Sequence, residues 1–244
     1  MSIALAANGN APIARHFAPA ALSMIPGQAP VAAKPQDEDL RALQQIGTKV
    51  RFARNTTIFN DGDDAAYTYK IISGAVRLCK HTSNGRRQIA DFLLAGDYFG
   101  FLQVGTYSFT AEAVSDVVVM AYPQRQVEQL SNTMPSMSRR LLTLLSQALL
   151  GMQDHLVMLG RQAAKERVAS FLLLLAERSD AEEGEAFEVP MSRQDIADYL
   201  GLTIETVCRA LSDLKRSKLI AIPNIHQIAI KDSEALEAAA DSDE

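Results

Sequence analysis

A glycine-punctuated pair of short amphipathic segments, MSRQDIADYLGLTIETVCRALSDLKRSKL from Met191 to Leu219, constrains this chain more than any other stretch. Ile196, Ala197, Leu200, Val207, Ala210, Leu211 and Leu214 fall at helical spacing on either side of Gly201. Ser192 stands as an N-cap with Asp195 three positions on. The pattern predicts a helix over Arg193–Leu200, a tight turn at Gly201-Leu202, and a second helix capped by Thr203 and running to about Ser217. Two helices joined this way form a helix-turn-helix, whose second helix presents its N-terminal residues to the DNA major groove. Glu205, Cys208 and Arg209 share one face of that helix, opposite Val207, Ala210 and Leu214. A carboxylate accepts from cytosine N4 and a guanidinium donates twice to guanine, so this face suits base reading. A small α-helical hairpin with a solvated ion pair has the same pattern, and the motif alone does not separate the two.

Charge limits how such a protein could hold nucleic acid. The 244 residues carry 24 Lys and Arg against 29 Asp and Glu, a net charge of −5. Phosphate neutralisation supplies most non-specific affinity, so one copy should hold random DNA weakly. Base contacts and two copies acting together must supply the rest. Cys79 and Cys208, the two cysteines, make neither a disulfide framework nor a metal-ligand cluster and point to a reducing compartment, the cytoplasm. No apolar run approaches a membrane span, and the first residues lack the basic and apolar blocks of a secretory signal.

Residues Met1 to Gln36 are rich in Ala and Pro and are expected to be a mobile extension that Ile13, Phe17 and Leu22 could fold over the next domain. A short helix is expected from Asp37. Short alternating segments follow: Lys49–Ala53, Thr57–Phe59, Tyr67–Ser73, Ala75–His81, Arg87–Leu94, Ser108–Ala113 and Val117–Tyr122. Turn signals separate them, Asn84-Gly85 being the strongest for a hairpin. Such a series predicts a closed antiparallel barrel or jelly roll, which holds a small molecule or is filled by its own side chains.

A long helix is predicted from Pro135 to Arg161. Leu141, Leu145, Ala148, Met152, His155 and Leu159 alternate steps of four and three along it, with Leu142, Leu149 and Leu156 flanking. That is the seam of a parallel two-stranded coiled coil, and a wide stripe can serve both the chain's own barrel and a second copy. No acidic residue stands at mid-seam and only His155 could titrate near neutrality, so the dimer is expected to be constitutive. A further helix over Ala163–Arg178, a strand over Phe187–Pro190 and a hairpin of Leu219–Ile222 with Ile225–Lys231 complete a winged helix-turn-helix. His226 and Gln227 are expected to be exposed on the wing, and the tail from Asp232 to be a frayed acidic helix.

The order β-roll, long helix, winged helix-turn-helix resembles the CRP/FNR transcription regulators over Asp37–Lys231. The resemblance rests on Phe59-Asn60-Asp61-Gly62-Asp63, Ile72-Ser73-Gly74-Ala75-Val76, Gly96-Asp97-Tyr98-Phe99-Gly100, Lys165-Glu166-Arg167-Val168-Ala169, Ser192–Ala197 and Leu200–Arg209. It implies an α+β fold in five parts: an extension (1–36), an antiparallel jelly-roll like a cyclic-nucleotide-binding domain (37–134), a dimerisation helix (135–161), a winged helix-turn-helix (162–231) and an acidic tail (232–244). Departures from the family narrow the subgroup. Nucleotide-binding members place a glutamate where this chain has Phe101, and an Arg-Ser or Arg-Thr pair where Ser108-Phe109-Thr110 offers no cation. A buried phosphodiester would then lack a counter-charge. Oxygen-sensing members hold an iron–sulfur cluster with four cysteines, mostly N-terminal, and residues 1–78 contain none.

What remains resembles the FixK-type subgroup, which implies an activator of microoxic, anaerobic and nitrogen-fixation genes. The expected partners are RNA polymerase, a second copy and a palindromic double-stranded site of TTGAT half-sites, with no membrane and no enzymatic activity. By that resemblance Glu205, Cys208 and Arg209 read bases, while Ser192, Arg193, Thr203 and His226 hold phosphates. No cofactor or metal is expected; an unidentified ligand or haem in the roll, through His81 or His155, is the alternative. Cys208 is either a small residue tolerated at a helix surface or a thiol whose oxidation lowers DNA affinity. Cys79 is expected to fill the barrel. A cupin-like metalloenzyme would need clustered ligands, and His16, His81, His155 and His226 lie in four separate segments. A plain ligand-binding subunit would leave the winged helix-turn-helix unexplained.

Overall fold

The computed structural model describes residues 37–81, 86–101, 105–161 and 163–241. The Met1–Gln36 extension and the Asn84-Gly85 turn lie outside the described residues. Helix α1 (Asp37–Ile46) leads into strands β1 (Thr48–Phe52), β2 (Thr57–Phe59), β3 (Tyr67–Ser73), β4 (Val76–His81), β5 (Arg87–Leu93), β6 (Tyr98–Phe99), β7 (Thr110–Ala113) and β8 (Val117–Pro123). They form two antiparallel four-stranded sheets, ordered β1-β8-β3-β6 and β2-β7-β4-β5, as the alternation predicted. The pair β6, read from sequence as a turn before Gly100, is too short to show alternation; it joins the sheet through Tyr69 and Lys70 of β3.

Alternate residues of β8, Val117, Val119 and Ala121, turn inward on Ile71, Leu93 and Phe99. Gly74 ends β3 with φ +90°, and a Cβ there would run into the Asp116 carbonyl, so only glycine fits this corner. Along β4 the register against β5 shifts between Leu78 and Cys79. That bulge breaks the alternation. Val76 packs inside the roll, whereas Cys79 packs with Ile89 and Phe92 against Val168, Phe171 and Tyr199 of the C-terminal half. Cys79 therefore does not fill the barrel: it seals the contact between the two halves, and burial pushes its thiol up to about 11.

Helix α2 (Gln124–Thr133) and the long α3 (Pro135–Arg161) follow, broken apart at Met134. Early in α3, Met137, Leu141 and Leu144 pack with Leu43, Tyr98, Tyr122 and Val127. Late in α3, Met158 and Leu159 pack against the C-terminal half. The face left over carries Leu142, Leu145, Leu149, Met152 and Leu156, all exposed, the last by 68%. These alternate steps of three and four, forming an exposed apolar stripe one step over from the heptad expected to pair. Leu145 and Met152 belong to both sets. Leu141, His155 and Leu159 pack on their own chain, and Ala148 is half-buried. One helix must cover its own domain with one side, and the heptad one step over is what remains outward.

The remaining elements are α4 (Ala164–Arg178), β9 (Ala186–Glu188), α5 (Arg193–Leu200), α6 (Ile204–Arg216), β10 (Ile220–Asn224), β11 (Gln227–Ile230) and α7 (Ser233–Ala240). Strands β10, β11 and β9 form an antiparallel three-stranded sheet in that order. Over Ser233–Ala240 the acidic tail is a docked helix rather than a frayed one. Asp232 caps α7 by accepting from the Ala235 N–H at 2.9 Å, and Leu236 and Ala240 are buried in the core that holds α4. Composition hid this, because two apolar contacts suffice to dock a helix that is otherwise polar and alanine-rich.

Candidate nucleic-acid interface

Helix α5 begins where the sequence placed its cap. The Ser192 hydroxyl accepts from the Asp195 N–H at 3.1 Å, and Asp195 Oδ2 accepts from the Ser192 N–H at 3.1 Å and its hydroxyl at 2.7 Å. Gly201 closes the helix in the left-handed conformation, φ 65°. Thr203 then caps α6 by accepting from the Thr206 N–H at 3.2 Å. Ile196, Ala197 and Leu200 of α5 share one core with Val207, Ala210, Leu211 and Leu214 of α6. That packing fixes which side of α6 is outward.

The outward side carries Glu205, Cys208 and Arg209, all exposed. Backbone hydrogen bonding at the helix start and the Thr203 hydroxyl hold the Glu205 carboxyl below its ordinary range, so it is charged at neutral pH. Ser212, one turn on, is also exposed, but its hydroxyl donates to the Cys208 carbonyl at 2.7 Å. Sequence reading missed it as a member of the face, although its i+4 spacing from Cys208 was visible.

The expected phosphate-holding residues are less uniform. Thr203 is exposed. Ser192 gives both its hydroxyl proton and its N–H to Asp195, so its donors serve the cap. Arg193 is half-buried beside the Cys208 thiol; burial lowers its ordinary pKa, and its Nη1 has no hydrogen-bond partner. His226 is not fully exposed as expected: its Nδ1 lies 3.3 Å from the Val189 carbonyl. Gln227 is likewise half-buried, accepting from Asn224 Nδ2 at 2.8 Å. Ile225 forms the wing's most exposed apolar point, at 76%.

Behind the interface, α5 is tied to the roll. Arg77 donates to Asp195 Oδ1 at 3.0 Å and to Glu112 at 2.8 Å. Arg87 donates to the same Asp195 oxygen at 2.6 Å and to Asp198 at 2.9 Å. Tyr199 stands beside them, its ring 5.2 Å from Phe92 of the roll, 5.7 Å from Phe171 of α4 and 4.4 Å from His155 of α3. No local signal marks these pairs. Asp195 reads as a capping residue, and its arginine partners lie more than a hundred positions away.

A cyclic nucleotide in the roll would need room for a base and a cation for its phosphate. The described interior is stacked with aromatic rings: Phe59 lies 3.6 Å from Tyr107 and 5.7 Å from Tyr69. The Tyr107 hydroxyl accepts from the Tyr67 N–H at 3.1 Å and donates to the Tyr67 carbonyl at 2.7 Å. The two cations of β4 are engaged elsewhere, Arg77 as above and Lys80 with Asp61 at 2.8 Å. These residues do not fit a nucleotide. His155 does not suit an axial haem ligand, since it is stacked on Tyr199 between α3 and α5. Among the described residues no group of three or more His, Cys, Asp or Glu could hold a metal ion, and no helix is long and apolar enough to cross a membrane.

Comparison with known proteins bears on both halves. Residues 166–239 match the Crp-like helix-turn-helix domain, and residues 49–134 the cyclic nucleotide-binding domain. The chain is 41% identical over 209 residues to the nitrogen fixation regulation protein FixK of Azorhizobium caulinodans, covering 84% of each chain. It is 34% identical to the fumarate and nitrate reduction regulatory protein of Salmonella typhimurium, covering 80% of this chain and 79% of that one. Among solved structures, FixK2 from Bradyrhizobium japonicum superposes with a TM-score of 0.77 at 35% identity, covering 82% of this chain and 100% of that one.

Proposed function

Because the chain belongs to the CRP/FNR family of transcription regulators, in its FixK-type branch, we propose that it acts as a homodimeric activator that reads a TTGAT-type palindrome without any bound effector. The observation that carries this reading is the free face of α6, with Glu205, Cys208 and Arg209 exposed while Val207, Ala210 and Leu214 anchor the helix. Glu205 and Arg209 contact base edges and Cys208 crowds the thymine end of the half-site. Arg193 and Thr203 meet the backbone phosphates and His226 adds a contact through Nε2, whereas the donors of Ser192 are spent on the α5 cap.

Two copies pair along the seam Leu142, Leu145, Leu149, Met152 and Leu156, setting two α6 helices one helical turn apart, roughly 34 Å. The ring-filled roll favours an effector-free regulator over one gated by a small ligand. The names of the FixK relatives point to nitrogen-fixation genes as targets, with recruitment of RNA polymerase as the mode of activation. Run-off transcription in vitro, with purified protein and polymerase and nothing else added, tests the reading. Transcript from a promoter carrying the palindrome, absent when the half-sites are scrambled, is the expected result. No stimulation by a folded dimer that binds the site would remove the activator role.

A further inference from the structure

Polar ties join the roll to the C-terminal half at two separate places, on α5 and on α4. Arg77 and Arg87 reach α5 at Asp195 and Asp198. Gln88 donates from Nε2 to the Asp198 carbonyl at 2.8 Å. Arg178 of α4 reaches back to the Asp97 carboxylate and donates to the Phe92 carbonyl at 3.2 Å. Between these anchors the Phe92, Phe171 and Tyr199 rings meet in the apolar core. A single point of attachment would leave the winged module free to swivel; anchors on both α4 and α5 define its angle.

The α5 anchor is well screened from water. The side chains of Arg77, Asp195 and Asp198 are 12%, 6% and 15% exposed. Three carboxylates, of Glu112, Asp195 and Asp198, share two guanidinium groups. Desolvating such a network costs much of what its attraction returns, so apolar residues would give comparable stability. What charges supply that apolar contacts do not is direction: a guanidinium fork accepts its carboxylate in few geometries. Asp195 uses one oxygen for each task, Oδ2 for the α5 cap and Oδ1 for both arginines. The start of the helix-turn-helix is thereby referenced to the roll. In this docked arrangement the α6 face stays exposed, so the tie presents the reading residues and does not cover them.

We infer that Arg77 and Arg87 are positioning residues for DNA binding: through Asp195 and Asp198 they set the angle at which the roll presents α6 to the duplex. This rests on α6 being the reading helix. The clamp does with permanent side chains what an effector could do in a roll with room for one. Its consequence is specific. Each α6 keeps its own affinity for a half-site whatever the angle, but two can engage one palindrome together only if both are held at the right angle.

The test uses the full-length dimer and three duplexes: a TTGAT-type palindrome, the same palindrome with two inserted base pairs, and a single half-site. Arg87→Asp is expected to weaken palindrome binding at least about tenfold, because simultaneous engagement is lost, while half-site binding changes less than about twofold. Discrimination against the lengthened spacer should fall with it. Adding Asp198→Arg to Arg87→Asp reverses the pair and should recover most of the palindrome affinity. The inference is overturned if folded Arg87→Asp binds the palindrome as the unmodified protein does, if palindrome and half-site weaken together, or if the reversed pair gives no recovery. Should Arg87→Asp fail to fold, Arg77→Met is judged by the same ratio of palindrome to half-site affinity. Unmodified protein that ignored the palindrome would instead remove the assignment of α6.

Discussion

The imidazole of His155 stacks on the phenol ring of Tyr199, centroids 4.4 Å apart and planes inclined by 28°. The pair joins the long helix to the first helix of the helix-turn-helix. Burial and the nearby Arg167 guanidinium lower the His155 pKa from 6.5 to about 4. The histidine is therefore neutral at physiological pH and places no charge on α3 there. Its unpartnered Nδ1 is one of the few buried polar atoms without a hydrogen bond among the described residues.

A pH dependence follows from that pair. The folded pKa lies below the unfolded value, so between about pH 4 and 6.5 the unfolded chain binds the extra proton. The contribution is fully present above pH 6.5 and is lost as pH falls toward 4. Partial exposure of the ring limits it to about 1–2 kcal/mol. Urea melts of the unmodified protein and of His155→Phe, compared from pH 7 to pH 4.5, should separate as the pH falls, the unmodified protein losing stability relative to the variant, since phenylalanine keeps the ring contact and drops the proton. Parallel curves would mean that His155 titrates normally.

Much of this molecule was legible from residue patterning, and what was not has identifiable causes. The capping box at Ser192 and Asp195, the Gly201 turn and the Thr203 cap are local chemistry, and α5 and α6 form where the spacing put them. On α3 two overlapping heptads, one through Leu141 and one through Leu142, share Leu145 and Met152, and both read as apolar stripes in sequence. Only packing on Tyr98, Tyr122 and Tyr199 decides which faces inward. Cys79 was misplaced by a single bulge, which alternation cannot reveal. The arginine clamp on Asp195 joins residues distant in the chain, so no window of sequence contains it.

Packing separates two kinds of leucine on α3, the exposed Leu149 and the roll-side Leu141. Leu149→Glu puts a charge on the exposed face and should yield monomers at micromolar concentration with little change in the melting point of the single chain. Leu141→Ala, half-buried on the roll side, should instead lower stability by roughly 1–2 kcal/mol and leave dimers intact. Sedimentation velocity and thermal melts on both variants read the difference. Dimers of Leu149→Glu would move the pairing surface elsewhere.

Arg209→Ala should lose about 1–3 kcal/mol of affinity for the palindrome and relax discrimination at one base pair of each half-site. Competition binding against all single-base variants of the half-site measures it. Uniform weakening across every sequence would make Arg209 a phosphate contact.

Cys208 is exposed on the outward face of α6 beside Arg193. Hydrogen peroxide takes two electrons from the thiolate, giving sulfenic acid and then, with a second equivalent, a charged sulfinate that phosphates would repel. Peroxide should therefore weaken site binding by the unmodified protein, and thiol reductant should reverse the first step only. Cys208→Ser should be insensitive. Buried Cys79, whose thiol is pushed up to about 11, should not react in the folded protein.

The central claim is that two copies of this chain, with nothing bound in the roll, set two α6 helices into one inverted repeat. Fluorescence anisotropy with the purified, ligand-free protein and a labelled TTGAT-type palindrome measures this directly. One dimer per duplex, at least about a thousandfold tighter than for a scrambled duplex in the same salt, is the predicted result. Equal affinity for both duplexes by a folded dimer, or binding that appears only when a small molecule is added, would contradict it.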